Sequence, residues 1–220
     1  MRPLSLLEAR VLGVLVEKAH TVPDSYPLSL NALTLGCNQK TARDPVLAAS
    51  EGEVQAAADA LKQLSLAFES SGSRVSRYEH NLGRALGLPS QSVALLAVLM
   101  LRGPQTVSEL RANSERLHRF ADLSAVEGFL DELAARPEDK GGPLTARLAR
   151  APGSREARWA QLLTGPVSAA SLATAADGED FVAVSELAAL KTRLAAAEAE
   201  IAALRTLVDR VCAELDIERN

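Results

Sequence analysis

Aromatic side chains are scarce in this chain, which has one Trp, two Tyr and four Phe among 220 residues. Cores of such a protein have to be filled by Leu, Val and Ala, which favours helices. Cysteine is nearly absent as well. Cys37 and Cys212 lie far apart and form neither a disulfide framework nor a metal knuckle, as expected of a protein in a reducing cytosol. No apolar run approaches the roughly 20 residues that a bilayer span needs. The N-terminus MRPLSLLEAR lacks the apolar core of a signal peptide. The expectation is a cytoplasmic chain with no membrane partner.

Catalytic patterns are missing too. His20, His80 and His118 sit in separate segments, and there is no HExxH, Gly-rich phosphate loop or nucleophile elbow. Asp44 and Glu51 flank a loop near Cys37 and Lys40. An unpaired thiol at a helix end is, however, more often a small packed residue than a nucleophile. No catalytic residue, metal ligand or cofactor is assigned, and the chain is expected not to be an enzyme.

What is present is a repeat. GSRVSRYEH (Gly72 to His80) returns as GSREARWAQ (Gly153 to Gln161), keeping Gly-Ser-Arg, a second Arg and then an aromatic. The correspondence extends backwards. Leu12, Val14 and Leu15 fall on Leu96, Val98 and Leu99, within segments whose apolar residues follow the helical period. PLSLNAL (Pro27 to Leu33) falls on PQTVSEL (Pro104 to Leu110), where Ser29 and Thr106 can each cap a second helix.

A third helix follows in each copy. Ser50 and Glu53 form a capping box before VQAAADALKQL, and the helix is expected over Glu51 to Leu66. Asp122 caps the counterpart, with Val54 on Val126 and Leu61 on Leu133. Two runs of alternating polarity around a Gly or Pro turn then predict a hairpin: LAFES with RVSRY, and PLTARLAR with REARW. The fold class expected is mainly α with small β-hairpins (α+β). Helix, helix, helix, hairpin is the order of the winged helix-turn-helix, here in tandem over 1–86 and 87–165.

Beyond a small, polar linker at 166–184, apolar residues recur at spacings of three and four. They are Leu187, Leu190, Leu194, Ala197, Ile201, Leu204, Val208, Val211 and Leu215. This heptad register predicts a coiled-coil helix over 185–220 and a homo-oligomer, with a dimer the simplest form. The rival is a helix folded back on its own domains.

LEARVLGVLVEK, YPLSLNAL, CNQKTARDPV, SRVSRYEH, LLRGPQTVSELR, the REARW hairpin and the heptad tail together resemble the bacterial YceH family over essentially the whole chain. The resemblance implies two winged-helix domains in tandem followed by a coiled coil. The family has no established activity, so function is left open. Trp159 stands where Tyr is usual, and the tail is rich in Ala.

Charge bears on the function that the fold suggests. The net charge of −4 divides unevenly, since residues 1–165 carry 19 Lys+Arg against 18 Asp+Glu and residues 166–220 carry 5 against 10. The body can therefore bear a local basic patch. Both third helices are acidic, with Glu51, Glu53 and Asp59 in the first and Glu127, Asp131 and Glu132 in the second, which opposes entry into a DNA groove. The hairpins carry the opposite sign. Alternation sets Tyr78 and Trp159 toward the helices and turns Arg77 and Arg158 outward. The candidate phosphate contacts are Lys40, Arg43, Arg74, Arg77, Arg147, Arg150, Arg155 and Arg158. The bland alternative is a solvated hairpin edge whose charges deter strand pairing. A DNA-binding, regulator-like protein is the leading expectation, and a non-enzymatic protein-interaction scaffold is the alternative. The insertion AHTVPDSYP and the long connection CNQKTARDPVLAAS occur in the first copy alone, which marks it as the functional half.

Overall fold

Ser5 opens the first helix of the computed structural model, which describes residues 1–70, 75–150 and 156–166. Its hydroxyl accepts from the Glu8 amide (3.1 Å) while the Glu8 carboxylate accepts from the Ser5 amide (2.8 Å), so two orphan donors are satisfied at once. Helix α1 (Leu6–Thr21) is followed by β1 (Leu28–Ser29), α2 (Leu30–Cys37), α3 (Glu51–Gln63), β2 (Ala67–Ser70) and β3 (Arg77–His80). A short α4 (Leu82–Leu86) leads to α5 (Ser90–Arg102), α6 (Val107–Ser114), α7 (Leu123–Ala134), β4 (Thr145–Arg147) and β5 (Trp159–Gln161). Among the described residues the fold is thus mixed α and β, with seven helices and two small antiparallel sheets. The heptad stripe and the linker before it lie outside the described residues.

The element order occurs twice, and its local signals are those of the sequence. Ser29 accepts from the Ala32 amide and Thr106 from the Glu109 amide. Ser50 forms its capping box with Glu53, and Asp122 accepts from Ala125. The third helix of the first repeat stops short of the expected Leu66. Leu64 is its C-cap, and Ser65 at φ 59° redirects the chain into β2. In the second hairpin the returning strand begins at Trp159, later than expected. Leu148 N–H still donates to the Arg158 carbonyl (2.8 Å) and extends the pairing toward the turn.

The sheets correspond as well. In the first repeat β3 is central, pairing with β2 on one side and β1 on the other, with Leu28 opposite Tyr78. In the second, β4 pairs with β5, and Gln105 bridges Trp159 where β1 would lie. Tyr78 and Trp159 are both buried, as their strand alternation predicts.

Helices α1 and α5 are apolar nearly all round, which suits helices covered on every side. They pack on each other. A Cβ at Gly13 would sit 3.0 Å from Leu101 Cγ and 3.4 Å from the Ala97 carbonyl, so glycine sets how closely the helices approach. The repeat alignment makes Gly13 and Ala97 equivalent, so the two copies meet at corresponding residues. One apolar cluster joins Leu12, Leu15, Val54 and Leu61 of the first copy to Leu96, Met100 and Leu144 of the second. A smaller cluster around Leu99, Val126, Leu130 and Trp159 fills the second copy alone. All described residues belong to one unit, Met1–Ala169.

Candidate interaction surfaces

The repeated hairpin arginine has a local task in both copies. Arg77 Nη1 donates to the Pro27 carbonyl (2.9 Å), and Arg158 Nη1 donates to the equivalent Pro104 carbonyl (3.0 Å). Each ties the returning strand to the turn that starts the second helix. The copies then diverge. Arg158 also grips Glu109, Nη1 to Oε2 at 2.9 Å and Nη2 to Oε1 at 3.2 Å. Glu109 is the capping-box partner of Thr106, and the aligned residue in the first copy is Ala32. Arg158 is therefore folded back and half-buried, against the outward placement expected of it, because a carboxylate stands at the helix start. Arg77 has no such partner and stays exposed.

Arg43 departs furthest from its expected place. As a candidate phosphate contact in the loop before α3 it has to reach solvent, yet it is only 6% exposed. Its Nε donates to the Gly36 carbonyl (3.1 Å), and its Nη1 and Nη2 hold Glu17 on α1 at 3.1 and 2.6 Å. Arg10, fully buried, donates to the carbonyls of Cys37 (3.0 Å) and Pro45 (2.6 Å). The two guanidiniums thus satisfy the last carbonyls of α2, where the helix leaves acceptors unpaired and its dipole favours cations. Burial alone would raise the Glu17 carboxyl. The Arg43 hydrogen bonds and charge outweigh it and hold that group below its ordinary range. Burial pushes the Cys37 thiol up to about 12, which removes it as a nucleophile at neutral pH.

Asn38 completes the anchoring of this loop. Its amide nitrogen donates to the Ala49 carbonyl (2.7 Å), and its oxygen accepts from the Ala49 N–H (2.8 Å). Asp44 N–H donates to the Leu101 carbonyl (2.8 Å), joining the loop to α5 of the second copy. Arg10, Glu17 and Asn38 were missed from the sequence. The signal for Arg10 was an arginine inside the apolar period of LLEARVLGVLVEK.

Of the remaining candidates, Lys40 and Arg150 are exposed, and Arg147 lies exposed at 3.7 Å from Glu127. Arg74 and Arg155 lie outside the described residues. The described candidates are spread over two hairpins and a loop. On the third helices Glu51, Glu53, Asp131 and Glu132 are exposed. Lys62, the cation of α3, is bound by Asp59 (2.8 Å) and Glu69. Exposed large apolar residues gather on the first copy: Leu35 at 65%, Val46 at 56%, Val75 and Phe68, against Leu123 on the second. Among the described residues no group of His, Cys, Asp and Glu is arranged to hold a metal ion, and no helix is long and apolar enough to cross a membrane.

Comparison with known proteins supplies relatives at high identity. A UPF0502 protein of Methylibium petroleiphilum is 65% identical over 203 residues, covering 91% of this chain and 85% of its own. A UPF0502 protein of Paraburkholderia phytofirmans is 60% identical over 218 residues, covering 99% of this chain and 92% of its own. Residues 4–154 match the family model described as "Protein of unknown function, DUF480". The span matched takes in both helical triplets and the anchored loop, and the chain belongs to the DUF480 (UPF0502) family.

Proposed function

We propose that this protein is a non-enzymatic protein-interaction module of the cytosol, built from two winged-helix units packed as one body. In this reading the heptad residues Leu187 to Leu215 form a C-terminal coiled coil that pairs two such bodies. The observation that carries the interaction reading is the internal use of the basic side chains. Arg43 is taken up by Glu17 and Arg158 by Glu109, while the third helices present carboxylates. A phosphate backbone is bound through several clustered cations, and those left exposed here are dispersed.

A DNA-binding, regulator-like role is the second reading. It is favoured by Arg77, which keeps an exposed guanidinium with one carbonyl partner, and by exposed Lys40 and Arg150. Fluorescence anisotropy with random duplex DNA across a salt series separates the two. The interaction reading expects no binding at low salt. Binding whose logarithm falls with log salt, with a slope flattened by Arg77→Glu, would establish the DNA reading instead. Removal of residues 185–220 is expected to reduce an oligomer to a monomer by light scattering, and an unchanged mass would refute the coiled coil.

A further inference from the structure

Between α2 and α3 of the first repeat the backbone runs from Val46 to Ser50 with alternating exposure. Val46, Ala48 and Ser50 face out, while Leu47 and Ala49 are half-buried. This is the period of a strand. The segment is pinned at both ends, by Arg10 on the Pro45 carbonyl and by Asn38 on both backbone groups of Ala49. Between the pins, the N–H and C=O groups of Val46, Leu47 and Ala48 have no partner among the described residues. Segments with a row of unpaired backbone groups are templates for strand addition, and proteins usually guard them with Lys, Pro or a bulge. Pro45 stands directly before the row, and Val46 to Ala49 hold neither Lys nor Pro.

Side chains beside this row add contact and charge. Leu35 precedes Asn38 by one turn on the same face of α2, so the strongly exposed Leu35 and Val46 border the row. Asp44, Glu51 and Glu53 are exposed at its two ends, Glu51 accepting from the Asn31 amide (3.1 Å) and Glu53 from Ser50, against exposed Lys40 and the buried Arg10. The charge also selects the occupant. The chain's own linker, 166–184, carries Asp177, Glu179 and Asp180 with no Lys or Arg, so like charge disfavours it here.

We infer that this edge binds an extended, basic segment of another protein by strand addition. Alternate apolar residues of that segment lie against Leu35 and Val46, and its Lys or Arg residues face Asp44, Glu51 and Glu53. The inference rests on the interaction reading above and gives its partner a chemistry.

The test is backbone-amide NMR of the labelled full chain, titrated with a capped hexapeptide alternating Lys and Val. Its Glu–Val counterpart and a backbone N-methylated Lys–Val peptide serve as comparisons. The Lys–Val peptide is expected to shift the amides of Leu35, Val46, Leu47 and Ala48. It should bind about tenfold more tightly than the Glu–Val peptide, and N-methylation or Leu35→Ser should weaken it about tenfold. Leu35 is too exposed for that change to unfold the helix. Equal binding of the Lys–Val and Glu–Val peptides, indifference to Leu35→Ser, shifts elsewhere, or no binding would each overturn the edge. If the edge fails and duplex DNA also goes unbound, the interaction reading stands without this surface.

Discussion

The two copies of the repeat share helix order, caps and sheet pairing, yet they differ in where their arginines are held. In the second copy Glu109 sits one turn into α6 and holds the hairpin arginine Arg158, so a single carboxylate serves both a helix start and a strand. In the first copy Ala32 takes that place, Arg77 is left exposed, and the buried arginines lie instead beneath a long loop. One scaffold has therefore spent its charge in two ways. The second copy closes its surface, and the first uses two arginines to hold open an irregular one.

Changes aimed at this contrast are expected to differ in size. The largest effect is expected from Arg43→Met, which leaves half-buried Glu17 with Lys18, at 3.3 Å, as its remaining cation. Loss of one partner from a fully buried pair costs about 3–5 kcal/mol, so a cost of about 3 kcal/mol is expected here, measurable by urea denaturation. A cost within a few tenths of a kcal/mol would mean that the loop does not depend on the pair.

The next concerns pH. Burial pushes His80 down to about 4 from its ordinary 6.5, and its Nδ1 is buried without a partner. Its folded-state value is the lower one, so the unfolded chain takes up the proton first. The contribution is complete above the unfolded value and is lost as pH falls from 6.5 toward 4. The loss is at most about 3 kcal/mol. His80 aligns with Gln161, which does not titrate, so His80→Gln is expected to flatten the stability profile over that window. An unchanged slope would show that other groups set it.

Gly36→Ala comes third. The added Cβ would lie 2.6 Å from Val14 Cγ1, an overlap expected to cost about 1–3 kcal/mol. The aligned residue of the second copy is Asn113, whose amide donates to Gln105. Asn113→Ala should cost about 1 kcal/mol through that lost bond.

The smallest effects come from exchanging the copies' chemistry. Glu109→Ala should cost about 1 kcal/mol, by removing a capping box and the grip on Arg158. The reciprocal Ala32→Glu should give back a few tenths by engaging Arg77. If the two changes have the same sign, the hairpin arginines are not equivalent.

Local signals were legible in the sequence, and distant pairings were not. Ser29, Thr106, Ser50 with Glu53, and Asp122 cap the helices they were expected to cap, because a cap is decided within four residues. Tyr78 and Trp159 face the core because strand alternation is a local rule. Arg158 is expected to face water and Arg43 to meet phosphate, and neither does, because their partners Glu17 and Glu109 stand far away in the chain. Alternation says which way a side chain leaves the backbone, but a long arginine can turn back. Arg10 could have been suspected, for a charged residue on an apolar stripe must find a partner there. The edge at Val46 to Ala48 was hidden because its unpaired state depends on what fails to pack beside it.

The meeting of Gly13 with Ala97 has a consequence of its own. Equivalent residues facing each other across equivalent helices are also what is found at the axis of an isologous contact between two identical subunits. Here both sides belong to one polypeptide, so dilution cannot separate them. A symmetric dimer must also accept every substitution twice, once in each subunit. Joined in tandem, each copy changes alone, and a loop can grow on one while the other remains plain.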